Sequence, residues 1–109
     1  DYSGPVPGGK TEGITYFDHP SNFSYPSSWH VREDGWMGCS VCMHRPVVAT
    51  KKEPLRLRFL LHAHSGAADA GRSNRIAKEF GSWPRYEIIR SSKKHQQYEA
   101  RVVEQAANR

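Results

Sequence analysis

The sequence predicts a mainly β domain: an antiparallel β-sandwich portion with one clear helix after its longest strand and a weaker helical pattern at the C-terminus. Three observations carry this. Apolar and polar residues alternate from Leu55 to His64, the period-2 pattern of a strand with two unlike faces. The period then changes after Ser65-Gly66, and Ile76, Ala77 and Phe80 recur at helical spacing. Elsewhere, short β-branched and aromatic runs are separated by Gly, Pro, Ser and Asp clusters, the punctuation of strands and turns.

Taken in order, residues 1 to 13 are rich in Gly and Pro and read as a loop or extended lead-in. Gly13 to Asp18 reads as a strand. His19 to Ser28, with two prolines, four serines and an asparagine, reads as a long surface loop. Trp29 to Arg32 and Trp36 to Met43 read as two short strands joined by the turn residues Glu33-Asp34-Gly35. In the strand from Leu55 to His64, the side carrying Leu55, Leu57, Phe59, Leu61 and Ala63 is expected to face the core. Arg56, Arg58, His62 and His64 are expected to face outward with Leu60. Asp69 to Phe80 reads as the helix, with Asp69 at its positive end, Gly81 as its stop and Pro84 forbidding continuation. Tyr86 to Ile89 reads as a strand. His95 to Ala107, with Tyr98, Val102 and Ala106 four apart, reads as a weak amphipathic helix or equally as a frayed tail.

A chain of 109 residues holds one domain. Its composition, 37% hydrophobic and 25% charged, is that of a folded chain rather than a disordered one. The net charge of +5 favours anionic partners at long range. The basic residues are nevertheless dispersed and not interleaved with aromatics, so nucleic acid is not the expected partner. No apolar run approaches the ~20 residues of a membrane-spanning helix. The chain opens at Asp1 rather than Met, so the lack of a leader says nothing of its compartment.

Several motifs occur in a fixed order: Tyr2-Ser3-Gly4-Pro5-Val6, Gly13-Ile14, Asp18-His19-Pro20-Ser21-Asn22, Trp29-His30-Val31-Arg32, Leu55-Arg56-Leu57-Arg58-Phe59 and His62 to Ala70. In this order and spacing the chain resembles the PmoA-like family, labelled "methane oxygenase", over residues 1 to 83. The resemblance is to the C-terminal half of that longer domain and leaves 84 to 109 unassigned. It implies a sandwich cut in two, completed by a protein partner or by self-association, because a lone half leaves edges and apolar faces uncovered. It also implies a carbohydrate-associated ligand, by analogy of fold.

The expected ligand edge comprises His19, Trp29, His30 and Arg32, together with Asn22 of the Asp-His-Pro-Ser-Asn motif. Imidazoles bind metal or shuttle protons, indole offers a flat face to a sugar ring, and guanidinium offers a forked donor. The metal-ligand candidates are His19 and His30, then His62 and His64 sharing one strand face, then Cys39 and Cys42 in C-x-x-C spacing. A metal ion, copper or zinc, is the one candidate cofactor. The two cysteines lack the second pair of a structural zinc site and are expected to be buried small hydrophobes. No phosphate loop, dinucleotide fingerprint or nucleophile elbow is present. Three readings follow: a carbohydrate-associated β domain, a His-ligated metal protein such as an oxygenase, and a non-catalytic subunit that pairs with another chain.

Overall fold

The computed structural model describes residues 1–103. Its elements, in order, are β1 (Tyr2–Pro5), β2 (Thr11–Asp18), β3 (Trp29–Val31), β4 (Met37–Cys39), β5 (Phe59–Ser65), α1 (Ala70–Ser82), β6 (Arg85–Arg90) and β7 (Tyr98–Val103). The strands form three antiparallel sheets: β1-β2-β5, β3-β4 and β6-β7. A mainly β chain with antiparallel sheets and one helix is what the sequence predicts.

The segment read as a lead-in loop contains a strand. β1 pairs with β2 from Tyr2↔Ile14 to Pro5↔Thr11. Its prolines conceal it in the sequence, but an edge strand tolerates Pro because one side needs no ladder donor. Gly8 and Gly9 both take positive φ, 97° and 77°, and close the turn that returns the chain into β2.

The main sheet has two unlike faces. One carries Gly13, Thr15 and Phe17 of β2 beside His64, His62 and Leu60 of β5. Thr15, Phe17 and His64 are buried there. The other carries Glu12, Ile14 and Tyr16 beside Ser65, Ala63 and Leu61. Leu61 is 64% exposed and Ile14 46%.

This reverses the orientation expected for the strand read from Leu55 to His64. The Leu/Ala side of β5 faces out and the histidine side faces in, and Leu55 to Arg58 lie outside the strand. The physical reason lies in what covers each face. Helix α1 packs against β2, and the sheet buries the Phe17 side, whereas on the other side the β3-β4 hairpin reaches Tyr16 through Trp29 and Tyr2 through the Glu33 carbonyl and leaves Leu61 exposed.

Gly13 makes the inward turn of His64 possible. A Cβ at Gly13 would lie 2.6 Å from the Ser3 Cβ and 2.7 Å from His64 Cε1. Gly13→Ala is therefore expected to destabilise the chain by about 1–3 kcal/mol through overpacking. Urea denaturation checks this, and an unchanged midpoint would refute the close approach.

Helix α1 is capped by Asp69, whose side chain accepts from the Arg72 backbone N–H at 2.6 Å. The helix runs through Gly81, the expected stop, to Ser82; Trp83 caps it in extended conformation and Pro84 ends it. Phe80 is 3% exposed and packs edge-to-face on His19 and Trp83, with centroids 4.8 Å and 5.4 Å away. Phe80 and Phe17 are the buried hydrophobic residues of the described chain.

The helix expected over His95 to Ala107 is corrected to a strand. β7 pairs with β6 from Arg85↔Val103 to Arg90↔Tyr98, and residues 104 to 107 lie outside the described segment. The four-residue spacing of Tyr98 and Val102 is even, so it fits a period of 2 as well as a helical turn. Pairing with Arg90 and Tyr86 selects the strand. The ladder is supported across strands by Arg101–Glu87 and by Arg90 over the Tyr98 ring at 5.0 Å.

Candidate functional site

The Asp18 to Asn22 segment folds as a clasp on β5. Asn22, 4% exposed, donates from Nδ2 to the Arg58 carbonyl at 2.8 Å and to Asp18 Oδ1 at 2.7 Å. Its Oδ1 accepts the Arg58 backbone N–H at 2.7 Å. The side-chain amide thus pairs with Arg58 as a neighbouring strand would, just where β5 has not yet begun. Asp18 Oδ2 accepts the Ser27 N–H at 2.9 Å and ties down the far end of the loop.

His19 is buried in the same clasp, 4% exposed. Its Nδ1 accepts the Ser21 backbone N–H at 3.0 Å, which puts the proton of the neutral ring on Nε2. Nε2 is buried and unpartnered. Burial holds the His19 pKa below its ordinary value, and the Arg58 guanidinium lowers it further; the Phe80 carbonyl and Asp18 offset part of this.

A depressed folded pKa means that the unfolded chain binds more protons just below about pH 6.5. The stability contributed by neutral His19 is therefore present above that pH and lost as pH falls toward the folded pKa. The denaturation midpoint should drop between pH 7.5 and 5, and His19→Gln should flatten that slope. Equal slopes in both proteins would contradict it.

The remaining edge candidates lie on the β3-β4 hairpin. Trp29 is half-buried and meets Tyr16 edge-on at 4.9 Å, on the open side of the main sheet. His30 and Arg32 are exposed, and Arg32 pairs with Asp34 at 2.5 Å. His19 and Asn22 are thus turned into the fold, Trp29 leans on Tyr16, and His30 and Arg32 face solvent. The five candidates do not converge on one cavity. Trp36, at 60% exposure, joins the exposed members from the other strand's start. Its position directly after Glu33-Asp34-Gly35 was the signal for it.

His62 and His64 share a face as their spacing requires, with rings stacked at 6.1 Å, but that face is the covered one. His64 Nε2 lies 2.7 Å from Asp1 Oδ2, and Thr15 donates its hydroxyl proton to the same carboxylate oxygen. The Nδ1 atoms of His62 and His64 are buried without protein partners. Asp1 and Thr15 were not foreseen, since nothing in the spacing relates residue 1 to residue 64.

Cys39 is half-buried in β4, while Cys42 is exposed in the following turn, so the expectation that both are buried is corrected. The strand ends at Cys39 and the chain turns through Ser40 to Met43, which brings Cys42 out. Among the described residues, no three His, Cys, Asp or Glu side chains are grouped to hold a metal ion. No described helix is long and apolar enough to cross a membrane.

These features define a class: a helix-backed antiparallel sheet with part of one apolar face exposed and its Asp-His-Pro-Ser-Asn loop spent on internal bonds. The chain belongs to the family of unknown function DUF6807, whose model matches residues 1–78. No curated protein and no solved structure matches it. The matched span ends inside α1, so the β6-β7 hairpin lies beyond it.

Proposed function

We propose that this chain is the C-terminal portion of a PmoA-like β domain and that it works as a pairing module. Its β1-β2-β5 sheet is one layer of a sandwich that a second β layer closes. The observation that supports this is the orientation of β5: Leu61 and Ala63 face solvent while His64 is buried. Chains normally expose single apolar residues without consequence. Here Tyr2, Ile14 and Leu61 lie together on one sheet face, which marks an interaction surface.

Surface accounting agrees. The chain exposes 9036 Å², against about 6,100 Å² for a compact monomer of this mass. Its radius of gyration is 17.5 Å, against about 13 Å for a compact chain of this length.

The test is Ile14→Lys with Leu61→Lys. The double variant should keep its far-UV helix signal, bind less of an apolar dye and self-associate less. Unchanged dye binding and association would sink the reading. A carbohydrate-associated ligand is a second reading, favoured by one observation: the β3-β4 hairpin presents Trp36, His30 and Arg32 together to solvent. Trp36→Ala should then abolish retention on immobilised polysaccharide, and unchanged or absent retention would remove that reading.

A further inference from the structure

A strand at the rim of a sheet leaves half of its backbone N–H and C=O groups without a ladder partner, and natural rims are guarded by shortness, proline or charge. Among the described strands, every rim but one carries such a guard. β1 is four residues long. The Val6 N–H bonds to the Lys10 carbonyl at 2.9 Å, a phase that turns the backbone groups of Ser3 and Pro5 outward, and Pro5 has no N–H to offer. β3 and β4 are three residues each. β6 carries Arg85, Glu87 and Arg90, and β7 carries Glu99 and Arg101. β5 is the exception. Its seven residues, Phe59 to Ser65, include no proline, no lysine or arginine and no carboxylate.

The sheet order β1-β2-β5 puts β5 at the rim. Its ladder with β2 is bracketed by two bonds: the His19 N–H to the Arg58 carbonyl at 3.2 Å, and the Gly66 N–H to the Thr11 carbonyl at 2.7 Å. Bonded and non-bonded pairs alternate along an antiparallel ladder. Leu60, His62 and His64 therefore spend their backbone groups on β2, while Phe59, Leu61, Ala63 and Ser65 turn theirs outward. None of these four makes another backbone bond among the described residues. Leu61, Ala63 and Ser65 are exposed, so the outer edge is open to an incoming strand. We propose that β5 pairs edge to edge with β5 of a second copy, antiparallel about a two-fold axis at His62. Two three-stranded sheets then join into one of six strands. The pairing-module reading concerns the face of this sheet; the present inference concerns its edge and does not depend on it.

The edge itself specifies its occupant. Free main-chain donors and acceptors at every second residue are matched only by an extended strand with the same groups unspent, and β5 supplies both sides of that match. With the axis at His62, the bonded pairs set Leu61 against Ala63 and Phe59 against Ser65, a large side chain opposite a small one each time. Charge selects in the same direction. The chain carries a net +5, and like charges directly opposite one another destabilise a strand pair. β5 is the long rim strand whose ladder brings no lysine, arginine or carboxylate against its own copy. An isologous contact of this kind closes as a dimer and leaves the guarded β1 at each end of the joined sheet.

Hydrogen exchange on the unaltered full chain, read over a range of protein concentrations, tests this. In dilute solution the Leu61 and Ala63 amides should exchange freely, while those of Leu60, His62 and His64 are held by β2. As light scattering reports a dimer, the Leu61 and Ala63 amides should slow by about tenfold or more. Two variants check the geometry. Non-bonded antiparallel pairs hold their Cα atoms about 4.5 Å apart, within disulfide reach, so His62→Cys in a Cys39→Ser, Cys42→Ser background should give a linked dimer on mild oxidation. Ala63→Pro removes an outward N–H and no bond to β2, so it should keep the far-UV spectrum and weaken the dimer by about tenfold or more. A monomer at all concentrations, Leu61 and Ala63 amides that stay fast in the dimer, or a dimer that Ala63→Pro leaves intact would each overturn the proposal. A Leu61 side chain that becomes shielded while its amide stays fast marks a covered face beside a free edge; that result overturns the edge pairing and leaves the pairing module standing.

Discussion

Phe80→Ala should cost about 3–5 kcal/mol, the range for emptying a buried aromatic site, and leave little folded protein. The residue is 3% exposed and carries contacts to His19, Trp83 and the Arg58 guanidinium, which sits 5.8 Å over its ring. With Phe17 as the other buried hydrophobic residue, a neighbouring core cannot take up the loss. Small domains have only about 5–15 kcal/mol of stability in total. The informative control is Leu61→Ala in dilute solution. Leu61 is a large apolar side chain but 64% exposed. Its truncation should change the urea midpoint of the monomer by no more than about 0.5 kcal/mol, as for other surface positions. If Leu61→Ala were as costly as Phe80→Ala, the open face would not be open.

The second large effect is expected at Asn22. Removing its amide strands the Arg58 N–H, leaves the Arg58 carbonyl with one bond fewer and takes a donor from Asp18. Each buried polar group left unmade costs about 1–3 kcal/mol, so Asn22→Ala should lose about 2–4 kcal/mol in chemical denaturation. Hydrogen exchange at the Arg58 amide should accelerate with it. A ligand-binding Asn22 would behave differently: loss of ligand retention at unchanged stability, and unchanged exchange at Arg58. The clasp geometry predicts the first pattern.

The parts of the fold that were legible in the sequence are those set by local chemistry. The Glu33-Asp34-Gly35 turn, with Gly35 at φ 93°, the Asp69 cap and the β6 strand need only neighbours in sequence to be read. What escaped depends on distant partners. Alternation in β5 shows that it has two faces but not which one is covered. That depends on where α1 packs, and on Gly13 leaving room for His64. The usual rule that the apolar side faces inward fails here because α1 packs against β2 and the buried side is that of Phe17 and His64, which leaves Leu61 64% exposed. β7 escaped for a related reason: a spacing of four residues serves both periods, and only β6 decides between them.

The candidate site divides the same way. Asp18, His19 and Asn22 find their partners within the chain, in Ser27, Ser21 and Arg58. An Asp-His-Pro-Ser-Asn motif looks the same in sequence whether it holds a ligand or a loop. The exposed trio His30, Arg32 and Trp36 lies on the hairpin, where sequence gives position but not company.

Side-chain footprinting by hydroxyl radicals, read at Leu61, Ile14, Phe17 and Phe80 over a range of protein concentrations, tests the central claim most directly. The account predicts that Phe17 and Phe80 stay protected throughout, while Leu61 and Ile14 are labelled in dilute solution and become protected as the covering layer assembles. Leu61 protected in the dilute monomer, or labelled as readily at high concentration as at low, would contradict it.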